Sequence, residues 1–143
     1  MNTAAAVIGP VLVFGLGYTA RRIAAALVAA GTCLMSASVG SIVASAGGAA
    51  LMAALHDECL AIAAAAGTPV GDTAREAARA GLTQPGSDVK ASMLRDLEAG
   101  ARVEAAHIVG DMVARAAAAG LPHPLLQAAW VHLQCYQATL AAR

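Results

Sequence analysis

The sequence predicts an all-α fold, a compact bundle of about six helices, and three observations carry that expectation. Hydrophobic residues make up 59% of the chain but aromatics only 3%, because alanine dominates the apolar count. Alanine is the strongest helix former and has little side chain to bury, so packing falls to spaced Leu, Val, Ile and Met. Those larger residues recur three and four apart, the spacing of one helical face. Gly and Pro separate these stretches at helix-length intervals. At 143 residues the chain fits one domain with a real core. It does not fit a full dinucleotide fold plus a second catalytic domain.

Taken in order, Val11 to Phe14 is a short apolar run with β character, followed by a glycine-rich turn. Arg21 to Ala30 reads as helix, with Ile23 and Leu27 one turn apart and Gly31 as its C-cap. Thr32 to Ser45 mixes small and apolar residues and predicts helix interrupted near Gly40. Ala49 to Ala66 is the clearest early helix. Leu51, Leu55, Cys59 and Ile62 form its apolar stripe, Asp57 and Glu58 face away, and Gly67 and Pro69 close it. Asp72 is placed as the N-cap of a helix to about Ala80, with Glu76 supporting its first turn. Leu82 to Ser87 is a loop around Gln84-Pro-Gly86. Asp88 is then expected to cap a helix from about Val89 to Ala99, ended by Gly100. Val103 to Ala119 follows, burying Ile108, Val109 and Met112, with Gly120 and Pro122 stopping it. Pro124 suits the first position of a last helix reaching about Leu140, with Leu126, Trp130, Leu133 and Tyr136 toward the core.

Several function classes are disfavoured at once. The formal net charge is zero and aromatics are sparse, so neither a basic footprint nor a stacking platform for nucleic acid exists. Cys33, Cys59 and Cys135 form no C-x-x-C pair, and the four histidines have no ligand spacing with them. No metal site is expected, and a reduced, cytoplasmic protein with buried thiols is. Between Arg22 and His56 no residue is charged, a stretch longer than the roughly 20 residues a spanning helix needs. Gly31, Gly40, Gly47 and Gly48 break it, Ser36, Ser38, Ser41 and Ser45 interrupt it, and no Trp or Tyr belt flanks it. A soluble helical hairpin is therefore the expectation, with a small membrane protein as the lesser reading. Met1 to Pro10 has no basic region of the kind that opens a signal peptide.

Two motifs bear on chemistry. Gly15-Leu-Gly17-Tyr-Thr-Ala20 is a G-x-G-x-x-A pattern after a strand-like run. In a dinucleotide-binding unit such glycines allow the tight turn and bring backbone amides to a pyrophosphate. That unit also needs a second strand and an acid about 20 residues on. Here the next acid is Asp57, about 40 residues on, with no alternating strand between. Gly15 and Gly17 are cofactor ligands only if this isolated motif works.

The second motif is Ser92-Met93, Asp96, Gly100, Arg102, Glu104, Gly110, Gly120 and Pro124 within residues 87–124. It resembles the C-terminal domain of ketopantoate reductases (2-dehydropantoate 2-reductases), where Ser-Met is followed by Asp, a Gly-Arg turn and a Glu opening the next helix. Ala101 between Gly100 and Arg102, and Val103 in place of the usual Thr, depart from that pattern. Upstream, Gly31 to Met35, Ser38 to Gly40 and Glu58 to Gly67 also resemble the start of that helical domain. The division expected is an N-terminal segment, 1–30, holding a vestige of a nucleotide fold, and a helical domain, 31–143.

The resemblance implies a reductase passing hydride from NADPH to a small 2-keto acid such as ketopantoate, a step of pantothenate biosynthesis. It implies substrate binding by Ser92 and cofactor contact by Glu104. The residues themselves leave alternatives open: a helical serine can bond back to its own backbone, and Glu104 can simply favour a helix dipole. Asp96 and Arg102 can be a surface pair. The family's lysine proton donor aligns near Arg21, whose guanidinium stays protonated and is a poor general acid. The expectation is a truncated or recombined chain with little or no reductase activity alone. The alternative is a helical dimerisation or interaction module without catalysis, and a homodimer is compatible with both.

Overall fold

A computed structural model of the chain describes residues 6–8, 11–13 and 18–143, with side-chain surroundings from Ile23 onward. The order is β1 (Ala6–Ile8), β2 (Val11–Val13), α1 (Tyr18–Met35), α2 (Val39–Ala44), α3 (Gly48–Ala65), α4 (Asp72–Leu82), α5 (Ser92–Glu98), a π-helical turn (Ala106–Gly110), α6 (Asp111–Ala118) and α7 (Pro124–Ala141). The fold is helical, as composition and periodicity predict. The β-like run does form a strand, but β2 pairs antiparallel with β1, Val7 opposite Leu12. A nucleotide-binding unit would instead pair its strands in parallel across a helical crossover.

α1 is the axis of the bundle, packed against α3, α5, α7 and the π-turn. Its buried face carries Ile23, Ala26, Leu27, Ala30 and Cys33, so the stripe starting at Ile23 and Leu27 continues past Gly31. Gly31 is therefore not a C-cap. It lies mid-helix, where a Cβ would stand 2.8 Å from Met52 Sδ and 3.3 Å from Leu55, so its bare Cα is what lets α1 and α3 approach. The helix ends at Met35 with Ser36 at φ 51°, and the Ser36 and Ala37 N–H groups bond back to the Cys33 and Thr32 carbonyls. That is a Schellman stop with serine at the position glycine usually takes.

The interruption expected near Gly40 falls earlier, at Ser36–Ser38, and Ser38 caps α2 by accepting from the Ser41 N–H at 3.3 Å. Residues 87–91 are not helical, although a helix from about Val89 was expected. The Val39 and Gly40 N–H groups donate to the Val89 and Ser87 carbonyls at 2.9 and 2.7 Å. A Cβ on Gly40 would sit 2.5 Å from Ser87 backbone atoms. Buried Thr32 adds a further tie, donating to Val28 O and accepting from the Ala91 N–H. Asp88 is thus no cap; α5 begins at Ser92 with Ala91 before it. Asp72 likewise lies inside α4, whose N-cap is Gly71, and pairs with Arg75.

α3 matches its expected span within a residue and buries Met52, Leu55, His56, Cys59 and Ile62. By length and composition alone it could cross a membrane, with a mean hydropathy of 1.3. Here it packs against α1, α2, α4, α6 and α7, with 39% of its length buried among them. Glu58 does not face away from the bundle: its carboxylate accepts the Leu125 and Leu126 N–H groups at 2.9 and 3.0 Å, capping α7. α7 opens with Pro124 as expected and buries Leu126, Ala129 and Leu133.

Candidate functional site

The residues between α5 and α6 build the site. α5 stops at Gly100, φ 70°, where the Gly100 and Ala101 N–H groups bond to the Leu97 and Asp96 carbonyls in a second Schellman turn. A side chain there would be strained by the left-handed backbone. The chain then runs extended through residues 101–104, with its carbonyls held from α7. The Tyr136 hydroxyl donates to Ala101 O at 2.6 Å, and Gln137 Nε2 donates to Val103 O at 2.7 Å. Val103 is buried, which pins the strand between those two bonds. Glu104 follows as an exposed residue, immediately before the helical run that starts at Ala105. Its carboxylate thus stands at a helix N-terminus, on a segment tied at the Ala101 and Val103 carbonyls.

That run opens with the wide π-turn. Gly110 closes it under Trp130, where a Cβ would stand 3.1–3.3 Å from the indole edge. π-helical turns recur at functional sites because they aim side chains that a regular helix would turn away. The result is an open cleft of about 640 Å³ between this run and α7. Arg102, Glu104, His107, Trp130, Gln134 and Gln137 line it. A volume of this size suits a small ligand. A guanidinium, a carboxylate, amides and an indole face allow ionic, hydrogen-bonding and stacking contacts.

The expected site residues separate. Glu104 and Arg102 share the cleft. Ser92 opens α5 as its first residue, exposed, and does not line that cleft. Arg21 lies on α1, but its side chain is outside the described residues, as are Gly15 and Gly17 altogether. Asp96 and Arg102 form no ion pair among the described residues; Lys90 pairs with Glu98 at 2.8 Å. Trp130 and Gln137 were read only as core or passed over, because spacing on α7 cannot show that its face closes a cleft. Cys33 and Cys59 are buried, their thiols pushed up to about 12 chiefly by burial, whereas Cys135 is exposed.

The described residues do not make a dinucleotide site on their own. Glu104 beside an indole can meet one end of such a cofactor, but nothing described cradles a pyrophosphate. Among the described residues no cluster of His, Cys, Asp and Glu suits a metal.

Residues 20–137 match the family model described as ketopantoate reductase PanE/ApbA, C terminal. No curated protein matches the chain significantly. Among solved structures, it is similar to a PanE/ApbA family ketopantoate reductase from Ralstonia eutropha JMP134, at 25% identity and TM-score 0.73 over 86% of this chain and 41% of that one. It also resembles a dimeric ketopantoate reductase from Staphylococcus aureus, at 19% identity and TM-score 0.72 over 85% of this chain and 43% of the other. A probable 2-dehydropantoate 2-reductase from Bacillus subtilis matches at 22% identity and TM-score 0.66, over 82% and 39% of the two chains. The chain thus spans about two fifths of the length of these structures.

Proposed function

Because the chain belongs to the ketopantoate reductase family by its C-terminal helical domain, we propose that it is the substrate-side half of a 2-dehydropantoate 2-reductase-like catalyst. In this reading these 143 residues alone have little or no turnover. The observation that carries it is the cleft at Glu104, held by Tyr136 and Gln137 at the position the family motif marks. Glu104 is assigned to contact with NADP, and Ser92 to the 2-keto acid. Arg21 stands near the family's lysine position and can hold a carboxylate, but its guanidinium will not deliver a proton at neutral pH. Gly15 and Gly17 join the cofactor site only if the isolated glycine motif is functional. A cytoplasmic location, with pantothenate biosynthesis as the setting, follows from the same reading.

Trp130 is the only tryptophan of the chain and lines the cleft, so its emission reports on that site directly. NADPH titrated into the purified chain tests the assignment. Saturable quenching that disappears in Glu104→Gln supports a cofactor contact at Glu104. An unaltered emission at millimolar NADPH overturns that contact for the chain alone. Steady NADPH-dependent turnover of ketopantoate by the pure chain overturns the claim of inactivity.

A second reading, an interaction module, is favoured by the outer face of α7. Val131 there is 47% exposed and Cys135 follows one turn later. The S. aureus structure is of a dimeric enzyme, which is what sets this reading beside the first.

A further inference from the structure

We propose that His56 is a proton-operated latch for α4: protonating its buried imidazole against two arginines of that helix releases α4 from α3 while the rest of the bundle stays folded.

His56 is only 3% exposed, and its Nδ1 atom is buried without a hydrogen-bond partner. A neutral imidazole tolerates this by leaving one nitrogen as an unused site. A protonated ring carries N–H on both nitrogens, so at least one donor would be orphaned in an apolar setting. The charges around it add to that cost. Arg79 of α4 bridges to Asp57, the residue next to His56 on α3, and Arg75 stands one helical turn before Arg79. Burial first, then Arg79, holds the imidazole below its ordinary range; Asp57 opposes this and Arg75 adds to it. α2 carries no charged side chain, the side chains of Arg21 and Arg22 on α1 lie outside the described residues, and Asp111, Arg115 and His132 of α6 and α7 are not among the groups acting on it.

α4 is the element built to yield. Leu82 is its only buried residue, and the Arg79–Asp57 bridge that joins it to α3 spans 3.2 Å, with both side chains about half exposed. Such a bridge holds weakly. A helix with so little buried surface opens at lower cost than the α1, α3 and α7 core. Because the folded imidazole titrates below the free one, docking is at full strength above the free value of about 6.5. It weakens as pH falls beneath that value, until the folded imidazole is itself protonated. β2 also lies against α4.

Hydrogen exchange of the purified chain, corrected for the intrinsic pH dependence of exchange, is the test. Protection of amides 72–82 is expected to fall between pH 7.5 and 5.5, by about tenfold at most, since one proton is taken up on opening. Protection in α1 and α7 is expected to hold. His56→Leu should abolish the pH response of α4. If that variant does not fold, Arg75→Gln, an exposed change that removes one of the two cations, should reduce the response. The proposal is overturned by equal α4 protection at both pH values, by loss of protection in all helices together, or by an unaltered response in a folded variant.

Discussion

Glu58 shows how much one side chain can decide. Both its oxygens are committed to the first amides of an 18-residue helix, where a carboxylate also meets the positive end of the helix dipole. Removing it leaves two part-buried donors unpaired, so Glu58→Ala should lower stability by about 1–3 kcal/mol. Glu58→Gln, which keeps one acceptor, should lose less. A shift in denaturation midpoint at constant slope checks both. Ser36 presents the opposite case. It holds a left-handed backbone at φ 51° with an ordinary side chain, so Ser36→Gly should raise stability by about 1 kcal/mol, read as a higher Tm. The thiols differ by burial: a thiol reagent should label exposed Cys135 in the native chain and reach Cys33 and Cys59 only on unfolding, which peptide mass mapping would show.

At the scale of elements, helix existence was legible in the sequence and helix junctions were not. α3 and α7 fall within about a residue of their expected spans because Gly67 and Pro124 act locally, through a turn and through the proline ring. Gly31 misled because its role is to leave room for Met52, a residue of another helix. Asp88 misled for a related reason: the backbone of residues 87–89 is claimed by Val39 and Gly40, far away in sequence. Ser92 and Glu104 could be picked out by motif, but the cleft beside Glu104 depends on α7 lying across that strand, which no local pattern encodes. The Gly110 contact with Trp130 is of the same kind, and it is testable. Gly110→Ala places a methyl 3.1 Å from the ring, so the indole must shift, and Trp130 emission should change in wavelength while helix content is preserved. Unchanged emission would mean that the π-turn does not fix the wall of the cleft.

The whole molecule poses a choice between a domain waiting for a nucleotide-binding half and a helical unit that pairs with itself. Its formal net charge is zero, so no long-range repulsion keeps copies apart near neutral pH. Among the described residues its most exposed large hydrophobic, Val131, lies on α7, the helix that also supplies Trp130, Gln134 and Gln137 to the cleft. Sedimentation velocity across a wide concentration range separates the two. If the α7 face associates, the wild-type coefficient should rise with concentration, and Val131→Glu should return it to the monomer value by burying a charge in any such contact. A wild-type chain that remains monomeric throughout would remove the interaction reading. The exposed α7 surface would then be an ordinary solvent face, and function would rest on what the Glu104 cleft can bind.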